Sequence, residues 1–252
     1  MDLGLQGKKV ILTGGSRGLG RAALQRFAEE GADVAFFSRN AEQVAETVAD
    51  LSQHGGKVFG EAFDMSDMEG YAAWLSKAAE ELGGCDIFIH NASSSGAGAG
   101  GDWDVTFQTD VVGCVKAIEA LEPSLEQSDD GSVIIMSSTA AFETFIQPQA
   151  FNALKAALIT YGSQLSQALG PKGIRVNMVS PGPIKFPGGN WSQIEQLMPE
   201  LYEATKAQFV LGDFGTADDV ARSVVFLASP ASAYTTGTNL VIDGGYTKRV
   251  QF

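Results

Sequence analysis

Thr13-Gly14-Gly15-Ser16-Arg17-Gly18-Leu19-Gly20 joins the short apolar run Lys9–Leu12 to the amphipathic stretch Arg21–Glu30. A glycine-rich turn between a strand and a helix lets a phosphate approach the backbone and the positive end of the helix. The spacing therefore predicts a dinucleotide site at Gly14, Ser16, Arg17, Gly18, Leu19 and Gly20. Taken alone, the motif also fits a plain strand–helix connection.

Outward from this turn, short β-branched runs alternate with longer helical patterns. Further strands are expected at Asp33–Phe37, Lys57–Ala62, Asp86–His90, Ser132–Met136, Arg175–Val179 and Asn239–Ile242. Amphipathic stretches such as Ala41–Ser52, Met68–Glu81, Asp104–Glu126 and Gln149–Leu169 lie between them. Apolar runs of four or five residues without strict alternation suit strands buried on both faces of a parallel sheet. Repeated strand–helix units then give a single-domain, Rossmann-like, doubly wound α/β fold of about seven strands with helices on both faces. No linker or shift in composition divides the 252 residues, so one domain is expected over 1–252.

The formal charge of −13 argues against nucleic acid and anionic membrane as partners, since both need a basic face. No apolar stretch approaches the ~20 residues of a membrane span. Cys85 and Cys114 are the two cysteines; without a pattern they fit buried small hydrophobes in a reducing, cytoplasmic setting. His54 and His90 are too few and too far apart in sequence to suggest a metal site. Ser93–Gly101, rich in Ser and Gly, reads as a mobile loop or a spacer. Pro181–Asn190 leads into a helix-like stretch from Trp191 to Gln208, a candidate substrate lid over 183–210.

Three further landmarks follow the glycine turn in order: Asn91-Ala92, Ser138 after the fifth strand, and Lys155 four residues after Phe151. Together they make the whole chain similar to the short-chain dehydrogenase/reductase family. The resemblance implies a serine that holds a carbonyl oxygen and a Tyr-x-x-x-Lys pair. The tyrosine moves the proton; the lysine binds the nicotinamide ribose and lowers the phenol pKa. Ser138 and Lys155 fill two of these places, and Phe151 stands where the family has tyrosine. No tyrosine lies between Ser138 and Lys155, and Tyr161 is too far along the helix to substitute. Asp110 stands where the family has asparagine; it is expected either to accept from a relay water or to pair with Lys155 or the helix backbone. His90 and Ser93 are further departures, from a family Asn-Asn-Ala-Gly.

The resemblance also places Asp64-Met65 at adenine, Asn91, Ala92 and Ser93 by the ribose, and Pro181, Gly182 and Ile184 by the nicotinamide. An acid at the end of the second strand would repel a 2′-phosphate. Ser38, Arg39 and Asn40 stand there instead, with Arg17 nearby, so NADP(H) is the expected cofactor. Phe142, Phe145, Gln149 and Trp191, with Phe186 and Met198 from the lid, suggest a pocket for a hydrophobic or aromatic ketone or secondary alcohol. The expected activity is an NADP(H)-dependent oxidoreductase, impaired by Phe151, that forms a dimer or tetramer. The alternative is a non-catalytic NADP(H)-binding sensor or scaffold. Phe151 itself has two readings, a deliberate Tyr→Phe substitution or a natural non-catalytic form.

Overall fold

A computed structural model describes residues 2–97, 100–144 and 148–250. Seven parallel strands form the central sheet: β1 (Lys9–Thr13), β2 (Asp33–Ser38), β3 (Val58–Ala62), β4 (Ile87–His90), β5 (Ser132–Met136), β6 (Arg175–Pro181) and β9 (Asn239–Ile242). Their order is β3-β2-β1-β4-β5-β6-β9, so the chain reverses direction between β1 and β4. A reversal of this kind opens a crevice at the carboxyl ends of the strands. Val10, Ile11 and Leu12 are fully buried, as are Val133, Ile134 and Ile135, because helices cover both faces.

Two apolar layers hold the helices to the sheet. On one face α1 (Gly18–Glu29), α2 (Ala41–Leu51) and α9 (Ala217–Ala228) pack through Leu24, Phe27, Val44 and Val224. On the other, α3 (Met68–Leu82), α5 (Gly113–Glu126) and α6 (Ala150–Leu169) pack through Tyr71, Leu75, Leu121 and Leu158. Cys85 and Cys114 are buried in this second layer, and burial pushes both thiols up, Cys114 to about 12. Thiols so protonated behave as the small hydrophobes the sequence suggests. His54 is exposed beside Gln25, whereas His90 is fully buried.

Two expected helices are broken. The stretch over 104–126 begins as α4 (Trp103–Thr106), widens into a π-helical segment at Phe107–Val112, and resumes as α5. π-segments are frequent at functional sites, and this one carries the buried Asp110. The stretch over 191–208 divides into α7 (Asn190–Leu197) and α8 (Pro199–Lys206), because Pro199 disfavours helix at Met198 and starts a new one. The two ends of this insertion meet in a separate pair of strands, β7 (Ile184–Lys185) and β8 (Gly215–Thr216). Its own small core is Trp191, Tyr202, Phe209 and Phe214.

Candidate active site

The glycine turn is fixed by close backbone approach. Gly14 has φ +76° and Gly18 has φ +57°, both in the region that disfavours other residues. A Cβ on Gly20 would lie 2.2 Å from the Gly14 carbonyl oxygen and 2.6 Å from Asn91 Nδ2. Asn91 Nδ2 donates to the carbonyls of Thr13 and Gly14, both at 2.9 Å. Thr13 Oγ1, fully buried, accepts from the backbone N–H groups of Asn91 and Ala92. The ends of β1 and β4 are thus clamped at the mouth of the crevice, with the N-terminus of α1 facing into it.

A cleft of about 1140 Å³ runs from this turn past the ends of β4 and β5 to the lid. The turn residues Gly14, Ser16, Arg17, Gly18, Leu19 and Gly20 line it, as do Ser38, Arg39, Asp64, Met65, Asn91, Ala92 and Ser93. Pro181, Gly182, Ile184, Gln149, Trp191, Ser138, Phe151 and Lys155 line it too. The turn also fits a pyrophosphate electrostatically, since α1 has no acidic residue in its first turn and no side chain capping it.

Several expected contacts fall elsewhere. Asn40 is absent from the lining, because its side chain accepts from Gln43 N–H and caps α2. Asp64 stays in the lining; its Oδ1 accepts from Ser66 N–H, which steadies the carboxylate at the cleft. Phe142 lies beneath the Arg249 guanidinium, 3.6 Å from its ring centroid, and does not join the wall. Met198 is exposed, and Phe145 lies outside the described residues. Trp191 serves two roles, packing on Phe214 at 4.9 Å while lining the cleft.

Glu143, Tyr246, Lys248 and Arg249 also line the cleft and were not anticipated. Their entrance is more polar than the expected aromatic wall. The last three come from the segment after β9, whose place over the site depends on how that segment folds back.

At the inner end, β5 delivers Ser138 and α6 delivers Phe151 and Lys155, one turn apart. Ser138 Oγ accepts from Ala140 N–H and starts a short turn. Lys155 Nζ is almost wholly buried, 3.1 Å from Asp110 Oδ2, and donates to the Met136 carbonyl at 2.8 Å. It also lies 5.6 Å from the Phe151 ring centroid. The Asp110 carboxylate is fully buried; Oδ1 accepts from Ser94 N–H at 2.8 Å and Oδ2 from Ser93 Oγ at 2.7 Å. Burial alone pushes its pKa up, but the Lys155 charge and these donors together hold it below the usual carboxylate range.

His90 Nε2 lies 2.8 Å from the Asp110 backbone carbonyl, an acceptor, so Nε2 carries the proton. Its Nδ1 is buried without a hydrogen-bond partner among the described residues. Burial and the Lys155 charge lower its pKa to about 4, which keeps the ring neutral. His90, Ser93 and Asp110 therefore meet around Lys155. Among the described residues no cluster suited to a metal occurs, and no helix is long and apolar enough to cross a membrane.

Comparison with known proteins agrees with this geometry. Residues 14–247 match the family model described as enoyl-(acyl carrier protein) reductase. Isoepoxydon dehydrogenase of Aspergillus clavatus is 38% identical, over 98% of each chain. L-Sorbose reductase from Gluconobacter frateurii, solved with NADPH and L-sorbose, superposes with a TM-score of 0.88 at 26% identity. That match covers 99% of this chain and 100% of the other. A doubly substituted short-chain dehydrogenase/reductase from Serratia marcescens gives 0.85 at 29% identity, covering 96% of this chain and 99% of the other. By sequence over nearly its whole length and by fold, the chain belongs to the short-chain dehydrogenase/reductase family of oxidoreductases.

Proposed function

We propose that this protein is an NADP(H)-dependent oxidoreductase that interconverts a ketone and a secondary alcohol, with turnover limited by Phe151. The supporting observation is that Ser138, Phe151 and Lys155 share one cleft with the glycine turn. Gly14, Ser16, Gly18, Leu19 and Gly20 would hold the pyrophosphate and its neighbours, and Arg17, Ser38 and Arg39 a 2′-phosphate. Asp64, Met65, Asn91 and Ala92 would hold the adenosine, and Pro181, Gly182, Ile184 and Lys155 the nicotinamide nucleoside. When bound, the dinucleotide supplies or takes up the hydride. Ser138 orients the substrate oxygen, and Lys155 holds a ribose through the N–H left over from Asp110 and Met136.

Phe151 keeps the ring of the family's tyrosine without its hydroxyl, and loss of a positioned acid/base costs on the order of 10²–10⁴-fold. Val105, Phe151, Trp191 and Ile194 support a hydrophobic or aromatic substrate body, while Glu143, Lys248 and Arg249 offer a polar handle at the entrance. Trp103 and Phe107 lie exposed on the α4 side (58% and 45%) and support a homodimer or tetramer, which sedimentation would test.

NADPH oxidation with a panel of aryl ketones, by the given chain and by Phe151→Tyr, tests the assignment. A gain of about a hundredfold or more is expected. No turnover by either form, with NADPH still bound, would favour a dinucleotide-binding sensor or scaffold. That second reading draws on Lys155, two of whose N–H groups are already committed to protein acceptors.

A further inference from the structure

The family's proton-moving phenol is missing, yet an unbroken line of hydrogen-bonding groups runs from the cleft to a buried carboxylate. Ser95 Oγ lies 3.2 Å from Ser93 Oγ, and Ser93 Oγ lies 2.7 Å from Asp110 Oδ2. Lys155 Nζ closes the line 3.1 Å from the same oxygen. The outer end packs near the backbone and Cβ of Phe151 and opens onto the same cleft as its ring. Phe151 N–H donates to the Gly100 carbonyl, and a Cβ on Gly100 would lie 3.4 Å from Ser95 Cβ and 3.5 Å from Phe151 Cβ. Ser93, Ser95, Phe151 and Lys155 all line the cleft.

The direction of the protons follows from the chemistry of each group. An ionised carboxylate only accepts, so the Ser93 hydroxyl donates to Asp110. Having spent its one proton there, Ser93 can only accept from Ser95. The Ser95 hydroxyl therefore points inward, and its lone pairs are left for the cleft. Both hydroxyls are aligned toward the carboxylate. A line so polarised takes up a proton at its outer end and does not, at rest, deliver one.

We propose that Ser95, Ser93 and Asp110 form a proton-accepting relay that serves alcohol oxidation in place of the absent phenol. The inference rests on the oxidoreductase reading above. As hydride leaves the carbinol carbon for an oxidised nicotinamide dinucleotide, the alcohol O–H bond breaks and its proton passes to Ser95 Oγ. The Ser95 proton passes to Ser93 Oγ, and the Ser93 proton to Asp110 Oδ2. The products are a ketone, a reduced dinucleotide and a neutral Asp110 carboxyl, which then returns its proton to solvent by the same route. Lys155, His90 and Cys114 are the titratable groups that interact electrostatically with Asp110. Lys155 lowers its basicity, so the relay is a weaker base than a phenolate and its rate lies below that of the tyrosine form. Ser95 would touch substrate; Ser93 and Asp110 act through it.

The test follows dinucleotide reduction with 1-phenylethanol and 1-tetralol for Ser93→Ala and Ser93→Thr, each in the given chain and with Phe151→Tyr. In the given chain, Ser93→Ala is expected to lower kcat about tenfold or more with KM within twofold. Ser93→Thr, which keeps the hydroxyl, should restore it. With Phe151→Tyr present, the loss in kcat on Ser93→Ala should be several-fold smaller than in the given chain, since the phenol bypasses the serines. Ser93→Ala is expected to lower the melting temperature, because the buried Asp110 carboxylate loses a donor, and Ser93→Thr to keep that of the parent; dinucleotide affinity measured on the same variants separates loss of turnover from loss of cofactor. An equal loss in both backgrounds, a failed rescue by threonine, or a loss on Tyr246→Phe with none on Ser93→Ala would overturn the relay. Turnover by Phe151→Tyr alone overturns only the relay, whereas no turnover by either form overturns the oxidoreductase reading as well.

Discussion

The two ends of the cleft are built on different principles. At the glycine turn, specificity lies in backbone: positive φ at Gly14 and Gly18, a close approach at Gly20, and one carboxamide clamp from Asn91. At the Lys155 end it lies in side-chain charge: a buried ion pair, two serines and a neutral histidine. The first kind of site tolerates little at a few positions and ignores pH. The second accepts changes of residue as long as every buried polar group finds a partner, and it responds to protonation. His90, Ser93, Asp110 and Phe151 gather at the second end, where each buried group depends on its neighbours.

The largest effect is expected where charge is buried. Lys155→Met leaves the Asp110 carboxylate without its cation, at a cost of roughly 3–5 kcal/mol of stability, measurable by urea denaturation. Adding Asp110→Leu should recover most of it. Equal stability of Lys155→Met and parent would show that the ion pair contributes nothing to holding this end together.

A second effect separates the two ends by pH. His90 titrates near 6.5 when unfolded and about 4 when folded. As pH falls from 6.5 toward 4 the unfolded chain takes up a proton that the folded chain refuses, so stability is lost over that window. The loss amounts to roughly 3 kcal/mol. Asp110, also lowered, adds a further loss below the ordinary carboxylate range as it is protonated. Urea midpoints at pH 7 and pH 4.5 for the parent and His90→Asn test this; the variant should lose less.

The backbone end gives the next effect. Gly20→Ala forces a Cβ against the Gly14 carbonyl and Asn91, costing about 1–3 kcal/mol in stability. Calorimetry should also show weaker dinucleotide binding. An unchanged affinity would mean that the turn does not hold the pyrophosphate. An effect of comparable size, confined to binding, is expected at the edge of the same end. Arg39→Ala should weaken NADPH by about 1.5–3 kcal/mol if its guanidinium meets a 2′-phosphate, and leave NADH unchanged. Equal weakening of both, or of neither, would reassign the cofactor preference.

Much of this was legible in the chain itself. The strands appeared as short apolar runs because a parallel sheet buries both faces, and each predicted run lies in the seven-stranded sheet. The glycine turn was legible because its constraint is local: the strand, the turn and the start of the helix are contiguous. Breaks within helices were not. Pro199 is a local signal that the sequence reading passed over, whereas the π-segment at Asp110 leaves no composition to read. Phe142 was misplaced for the opposite reason, since its partner Arg249 lies more than a hundred residues away.

The sequence by itself determined the layered α/β fold, the glycine turn and the phenylalanine at position 151. These depend on periodicity, on glycine and on the identity of one residue. Only the tertiary structure decided that His90, Ser93 and Asp110 surround one ammonium, that Ser95 opens onto the cleft, and that Lys248 and Arg249 reach its entrance. Such meetings join residues from different strands and helices. Charge–charge and hydrogen-bond contacts act over a few ångströms in space, and distance along the chain does not encode that separation.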